Sequence, residues 1–372
     1  MKFKIKKSEI IEPLSKVQGL TGRKTNLSIT SNLLLQSTGS GLSITASDLD
    51  TIFEGYFPAE IENEGTITLN ARKLFEITRD FPSEVIQMHE LEPQWIEIKD
   101  DHVEYHIVGM NPDDFPDRPH IEDIDFFTIP SAVFKSMIEK TTFIGFPRDE
   151  KRAHIIGVYF ERIEKNQNCM IRMVSTDARR LSKVEYIFNE DTNVPSFDNV
   201  LIPKAGLNEV NKFLNTPCEL QIGIKNNFFI VKKENETIII SLLEGEFPDY
   251  YNLVKTEEIY SLRLNRYLFL MMLKRMSILS SEANKSVVFN LESGKLVMTT
   301  TNPDIGESRE EMNIDYAREP IEVAFNPKYF IETLNSIEEE EIFLYIRDAQ
   351  SPCLIEGTAD KHFLSVIMPM KI

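Results

Sequence analysis

The chain is sparing with the residues that usually announce chemistry. Only three cysteines, Cys169, Cys218 and Cys353, occur among 372 residues, far apart and with no C-x-x-C pair. That excludes a disulfide framework and fits a reducing cytoplasm. The longest apolar run, from Leu268 to Leu273, is far short of the ~20 residues that span a bilayer, so no membrane is expected. The basic opening Met1 to Lys7 is not followed by the apolar core of a signal peptide. There is no G-x-S-x-G elbow and no H-E-x-x-H zinc motif. The stretch Gly19-Leu20-Thr21-Gly22-Arg23-Lys24-Thr25 fails as a phosphate loop, because only two residues part its glycines and Arg23 interrupts Gly-Lys-Thr. His102 and His106 would share a strand face with Glu104, but a polar strand face accounts for them more simply. Asp177 is read as a hairpin residue ordering its own turn. A metal hydrolase using His102, His106 and Asp177 is therefore set aside. No catalytic residue, cofactor or metal is assigned.

What the chain does contain is repetition. Asn32-Leu33-Leu34-Leu35-Gln36 leads through a turn into Gly41 to Asp48. Gly157-Val158-Tyr159-Phe160-Glu161 leads into Met170 to Asp177, and Ser286-Val287-Val288-Phe289-Asn290 into Gly294 to Thr301. A period near 125 residues is the size of a small domain, not of a solenoid unit. Each unit opens with apolar residues at helical spacing: Ile10, Ile11, Leu14 and Val17; Val133, Phe134, Met137 and Ile138; Leu262, Leu264, Leu268, Leu270, Met271 and Leu273. After the hairpin a second helix is expected from Asn70 to Phe81, Pro203 to Leu214 and Asn326 to Ile337. Strand-like runs close each unit, at 94–108, 218–243 and 341–368. No linker rich in Pro, Gly or Ser separates the units, and boundaries fall near 125 and 255.

Charge is unevenly placed. The whole chain carries −18, which argues against nucleic acid. The six expected helices nevertheless hold a combined +9, leaving −27 elsewhere. If they share one face, that face is positive inside a negative body. Six helices, doubled by a twofold partner and set side by side at roughly 8–10 Å, close a circle about 120 Å round and ~19 Å in radius. Removing ~5 Å for half a helix leaves ~14 Å free. Duplex phosphates lie roughly 10 Å from their axis, so DNA would pass with a layer of water and ions. Such a face attracts phosphates without reading bases.

The end-to-end pattern resembles the bacterial DNA polymerase III β-subunit family, the sliding clamps. The resemblance rests on Met1-Lys2-Phe3, Asn32 to Gln36, Ala71-Arg72-Lys73-Leu74-Phe75, Thr176-Asp177-Ala178-Arg179-Arg180-Leu181, Phe247-Pro248-Asp249-Tyr250 and Met368-Pro369-Met370-Lys371. It implies an α+β fold of three repeated clamp domains, 1–125, 126–255 and 256–372, with helices lining the inside of a ring and antiparallel sheets outside. It implies a head-to-tail homodimer around duplex DNA, loaded by a clamp loader and without enzymatic activity. The partners implied are the replicative DNA polymerase catalytic subunit, other polymerases and repair proteins that carry short clamp-binding peptides.

Carried over by motif, the peptide groove comprises Ile155, Thr176, Arg180, Leu181, Pro248, Leu253, Val366, Met368, Pro369, Met370 and Ile372. The Met-Pro-Met ending suits an adaptable apolar slot. The DNA-contacting cations are Arg23, Lys24, Arg72, Lys73, Arg152 and Lys204. The dimer contact sets Arg72, Lys73 and Tyr105 of one copy against Ile278, Leu279, Glu307, Glu310 and Glu311 of the other. The chain departs from the family pattern in two places. Ala153 and His154 stand where many members carry two tyrosines, and Thr-Asp-Gly-His-Arg-Leu becomes Thr-Asp-Ala-Arg-Arg-Leu. The alternative reading is a monomeric three-domain peptide-binding scaffold.

Overall fold

The structure, a computed structural model, describes the chain except for residues 23–25, 40, 148–149, 166–167, 191, 257–259, 280–285 and 372. One order of elements, strand–helix–three strands, recurs six times, twice in each repeat. In the second repeat it runs Phe126–Pro130, helix Ser131–Thr142, Gly157–Lys165, Asn168–Thr176 and Arg180–Ile187. It then runs Val200–Pro203, helix Lys204–Phe213, Glu219–Lys225, Phe228–Lys233 and Glu236–Ser241. The third repeat follows the same order from Ser261–Asn265 to Phe363–Ile367. The first follows it from Lys2–Lys6 to Glu104–Val108, with one added strand, Glu60–Asn63.

All three hairpins expected from sequence form, and so do the second helices, as Ala71–Asp80, Lys204–Phe213 and Pro327–Asn335. Asn70 and Asn326 cap two of them, each side-chain oxygen accepting a backbone N–H of the first turn at 3.0 Å. One expectation changes. Leu262 and Leu264 belong to the strand Ser261–Asn265, where they are buried between exposed neighbours. The helix begins only at Arg266, capped by Asn265, which accepts from the Leu268 N–H at 2.9 Å. A leucine at every second position satisfies strand alternation, which the helical reading of that stretch had absorbed.

The strands make four antiparallel sheets. One eight-stranded sheet runs through the first and second repeats, joined where Glu236–Ser241 pairs with Thr51–Pro58, Ile238 opposite Phe53. Another runs through the second and third, joined where Arg180–Ile187 pairs with Phe363–Ile367, Leu181 opposite Val366. Compact packing follows the sheets rather than the repeats. It divides the chain into two units, Met1–Lys135 with Asp191–Phe197 and Ile202–Leu243, and Ser136–Glu190 with Asp198–Leu201 and Glu244–Ile372.

The helices bury one apolar face against the sheets and against one another. Ile10, Leu14 and Val17 are fully buried, as are Phe134 and Ile138. In the third repeat Phe330 of one helix meets Phe269 of the other and Phe289 and Phe325 of the sheet, with centroids 5.2–6.0 Å apart. Among the described residues, no helix is long and apolar enough to cross a membrane.

Candidate functional site

An apolar groove of about 290 Å³ opens in the second compact unit. Its first wall is the hairpin turn after Asn168–Thr176. Asp177 Oδ1 accepts the backbone N–H of Arg179 at 2.9 Å and of Arg180 at 3.0 Å. Thr176 Oγ1 donates to the Arg180 carbonyl at 2.7 Å. Asp177 thus orders its own turn. Ala178 sits at the tip with φ of 70°. Arg180 is 5% exposed, its guanidinium bonded to Asp177 and Glu332 and lying 4.4 Å from the centre of the Tyr329 ring. It props the wall through its ion pairs rather than offering a free charge.

The second wall is the segment around Pro248 and Leu253, held by a buried polar network. Tyr250, 2% exposed, donates its hydroxyl to Glu161, which is 1% exposed. Arg172 Nη1 donates to that hydroxyl at 2.8 Å and to Glu161 Oε1 at 3.0 Å, and Arg172 Nε donates to Glu185 at 2.7 Å. Burial raises the Tyr250 pKa, and the hydrogen bond to Glu161 adds to it, so the phenol stays neutral. For Glu185, burial acts upward, but Lys183 and Arg172 overcome it and hold the carboxyl below its ordinary value. Phe247 stacks on Tyr159 at 4.9 Å.

The third wall is the chain's end. After Phe363–Ile367 the Met368 N–H donates to the Arg179 carbonyl at 2.9 Å, fastening the tail to the hairpin turn. Leu181, Tyr250 and Val366 belong at once to the groove and to the core cluster beneath it. The floor is therefore preformed.

Of the groove residues expected from sequence, Thr176, Arg180, Leu181, Pro248, Leu253, Val366 and Met368 line this one cavity. Ile155 does not. It is 2% exposed and points inward from the helical turn Ala153–Ile156, and its neighbour His154 takes the lining position. Pro369 and Met370 lie past the lining, and Met370 bridges instead to Ala324. Ile372 lies outside the described residues. Sequence reasoning missed Asp249 and Tyr250, although both stand in the quoted Phe-Pro-Asp-Tyr turn, and it passed over His154 and Ala178 as departures.

The expected cations fare unevenly. Arg23 and Lys24 fall outside the described residues. Lys204 is corrected: it is 1% exposed, so no polyanion reaches it. Arg72 and Lys73 are well exposed, but both bond Glu76, at 3.0 and 2.9 Å. Arg152 grips Glu150 with two hydrogen bonds of 2.9 and 2.7 Å, which pull the Glu150 pKa down to about 2. Lys16, Lys140, Lys212, Arg275 and Lys328 also have carboxylate neighbours. Counting charge by helix therefore overstated the positive face. Lys16 and Glu236 are buried together, but the solvent-exposed pairs are weak, so phosphates can still compete for their cations.

Three edge strands are largely exposed: the four-residue Glu60–Asn63 and, longer, Glu104–Val108 in one unit and Gly306–Asn313 in the other. Glu104–Val108 presents Tyr105 and Val108. Beside Gly306–Asn313, Ile278 is 73% exposed, while the Leu279 carbonyl accepts from Asn302. On the strand itself Glu307 is exposed, Glu310 pairs with Arg275 and Glu311 with Arg309.

Comparison with known proteins accounts for nearly the whole chain. Residues 1–119, 128–249 and 254–371 match, in order, the N-terminal, central and C-terminal domains of the DNA polymerase III beta subunit. The chain is 29% identical over 375 residues to the beta sliding clamp of Proteus mirabilis, covering all of both chains. It is 28% identical over 376 residues to that of Chlamydia muridarum, covering all of this chain and 99% of the other. The DNA polymerase sliding clamp structure from Bacillus subtilis is 26% identical, covers all of this chain and 99% of its own, and superposes with a TM-score of 0.91.

Proposed function

The chain belongs to the DNA polymerase III beta-subunit family and is a sliding clamp, and on that premise we propose that two copies close head to tail around duplex DNA. The three modules are 1–125, 126–255 and 256–372. The edge strand Glu104–Val108 of one copy adds to Gly306–Asn313 of the other, twice. The observation that carries this reading is that the two longest of the exposed edges, Glu104–Val108 and Gly306–Asn313, lie in different units. An open edge is a template for another strand, and proteins that leave one open without a partner usually blunt it. Two different edges make a head-to-tail contact, which closes into a ring when the rotation allows. Arg72, Lys73 and Tyr105 face Ile278, Leu279, Glu307, Glu310 and Glu311 across it. DNA is then retained by closure, with Arg72, Lys73, Arg152, Arg23 and Lys24 making weak, sequence-independent phosphate contacts.

The groove would take a short apolar peptide from a polymerase, the clamp loader or a repair protein. Its apolar side chains supply the affinity, and Met368 supplies the adaptability. The clamp works by tethering and performs no chemistry. Two measurements test this. Light scattering should report a dimer. Protein loaded onto nicked circular duplex should stay until the circle is cut, then run off the ends. A monomer that binds peptide would establish the scaffold reading instead, and equal retention on circular and linear DNA would defeat encirclement.

A further inference from the structure

On the sheet that ends in Glu104–Val108, three side chains stand in register across three adjacent strands. His89 of Val85–Glu92 is opposite Glu97 of Trp95–Lys99, and Glu97 is opposite His106. Ile96 and Ile98 point into the core, so alternation sends Glu97 to the other face. Glu104, two residues before His106, shares that face. Glu97 is nonetheless 6% exposed, because its neighbours cover it. One donor atom each from Glu97, Glu104 and His106 lies within 4.8 Å of the others. His106 Nε2 is 3.0 Å from Glu104 Oε1 and 3.7 Å from Glu97 Oε1. A tetrahedral zinc ion with bonds of about 2.0–2.1 Å spaces its ligands about 3.3 Å apart, between those two distances. His89 Nδ1 stands 4.0 Å from Glu97 Oε2, on the other side.

We propose that Glu97, Glu104 and His106, with His89 turning in as the fourth donor, bind a divalent late first-row metal ion of the zinc class. Mixed imidazole and carboxylate donors suit such ions. The Lys99 ammonium stands against Glu97, its Nζ 2.6 Å from Oε2. Beyond that ion pair, the buried Glu97 Oε2 has no hydrogen-bond donor among the described residues. Lys99 is 41% exposed and can swing into water, so it acts as a tethered competitor that the ion displaces. The ion would tie the edge strand to its two neighbours. His102 has no part in it, because it lies in the turn, its N–H bonded to Asp100. All four donors come from one chain, so the ion does not require the ring, although Glu104 and His106 lie on the strand proposed to meet the partner.

The test is titration of the chelator-stripped full chain with Zn²⁺ against a chromogenic chelator, alongside thermal unfolding. The expected result is one ion per chain and a rise in Tm with zinc. His106→Ala should remove both, Glu104→Gln should weaken binding by about tenfold or more, and His102→Ala should change neither. Lys99→Met should tighten binding severalfold, an effect that no unfolded variant could produce. Circular dichroism and metal-free Tm establish that each variant is folded. Stoichiometry and affinity preserved in folded His106→Ala, or no tightening in Lys99→Met, would overturn the site.

Discussion

At the scale of single residues, the groove depends on groups that never touch a ligand. Tyr250 joins the peptide wall to Glu161 and Arg172 beneath it. Tyr250→Phe keeps the ring but strips two hydrogen bonds from buried charges. It should lower unfolding free energy by roughly 1–3 kcal/mol and weaken peptide binding, measured by urea denaturation and peptide titration. Glu185 makes the same network sensitive to acid. Its folded pKa lies below the ordinary 4.5, so its ionised form stabilises the fold. That contribution is complete above the ordinary value and disappears as pH falls through the lowered one. Tm should fall across that acidic window, and less steeply in Glu185→Gln than in wild type. Ala178 is a third case. With φ of 70° it occupies backbone space that suits glycine, the residue the family pattern carries there. Ala178→Gly relieves strain of ~1–2 kcal/mol and loosens the unfolded chain by somewhat less, so a net gain of up to about 1 kcal/mol is expected in chemical denaturation.

At the scale of elements, helices and sheets depend on apolar layers rather than on the ion pairs decorating them. Phe330 is fully buried among three other phenylalanines, and Phe330→Ala should destabilise by about 3–5 kcal/mol. Lys328→Ala, two residues earlier and exposed, should change stability by less than ~0.5 kcal/mol. Comparing the two unfolding curves checks both. The same contrast explains which elements were legible in sequence. The hairpins and second helices were readable because apolar periodicity and Asn or Pro at helix starts are local signals. The stretch at Leu262 and Leu264 misled because a strand running into a helix keeps leucines at spacings that fit either.

At the scale of the whole molecule, the question is what the open edges meet. Tyr105→Glu together with Ile278→Asp places like charges at the proposed contact. It should yield a folded monomer by light scattering, with peptide affinity unchanged, because the groove lies within one chain. Retention on circular DNA should be lost with the dimer. Salt dependence separates the DNA contacts from closure. Arg152→Ala should flatten the slope of log K against log salt by about 0.9, while Glu150→Gln, which frees Arg152 from its partner, should strengthen binding at low salt.

The amino-acid order alone settled the threefold repetition, the hairpin and second-helix positions and the resemblance that brought the groove residues together, because those depend on periodicity and motif spacing. Only tertiary structure decided that the sheets run through successive repeats, since strand pairing between distant segments has no local signature. It also decided that Lys204 and Ile155 turn inward while His154 turns out. Which side of a helix faces the core depends on what packs against it, and charge counted along a chain carries no record of the carboxylates that folding sets beside each cation.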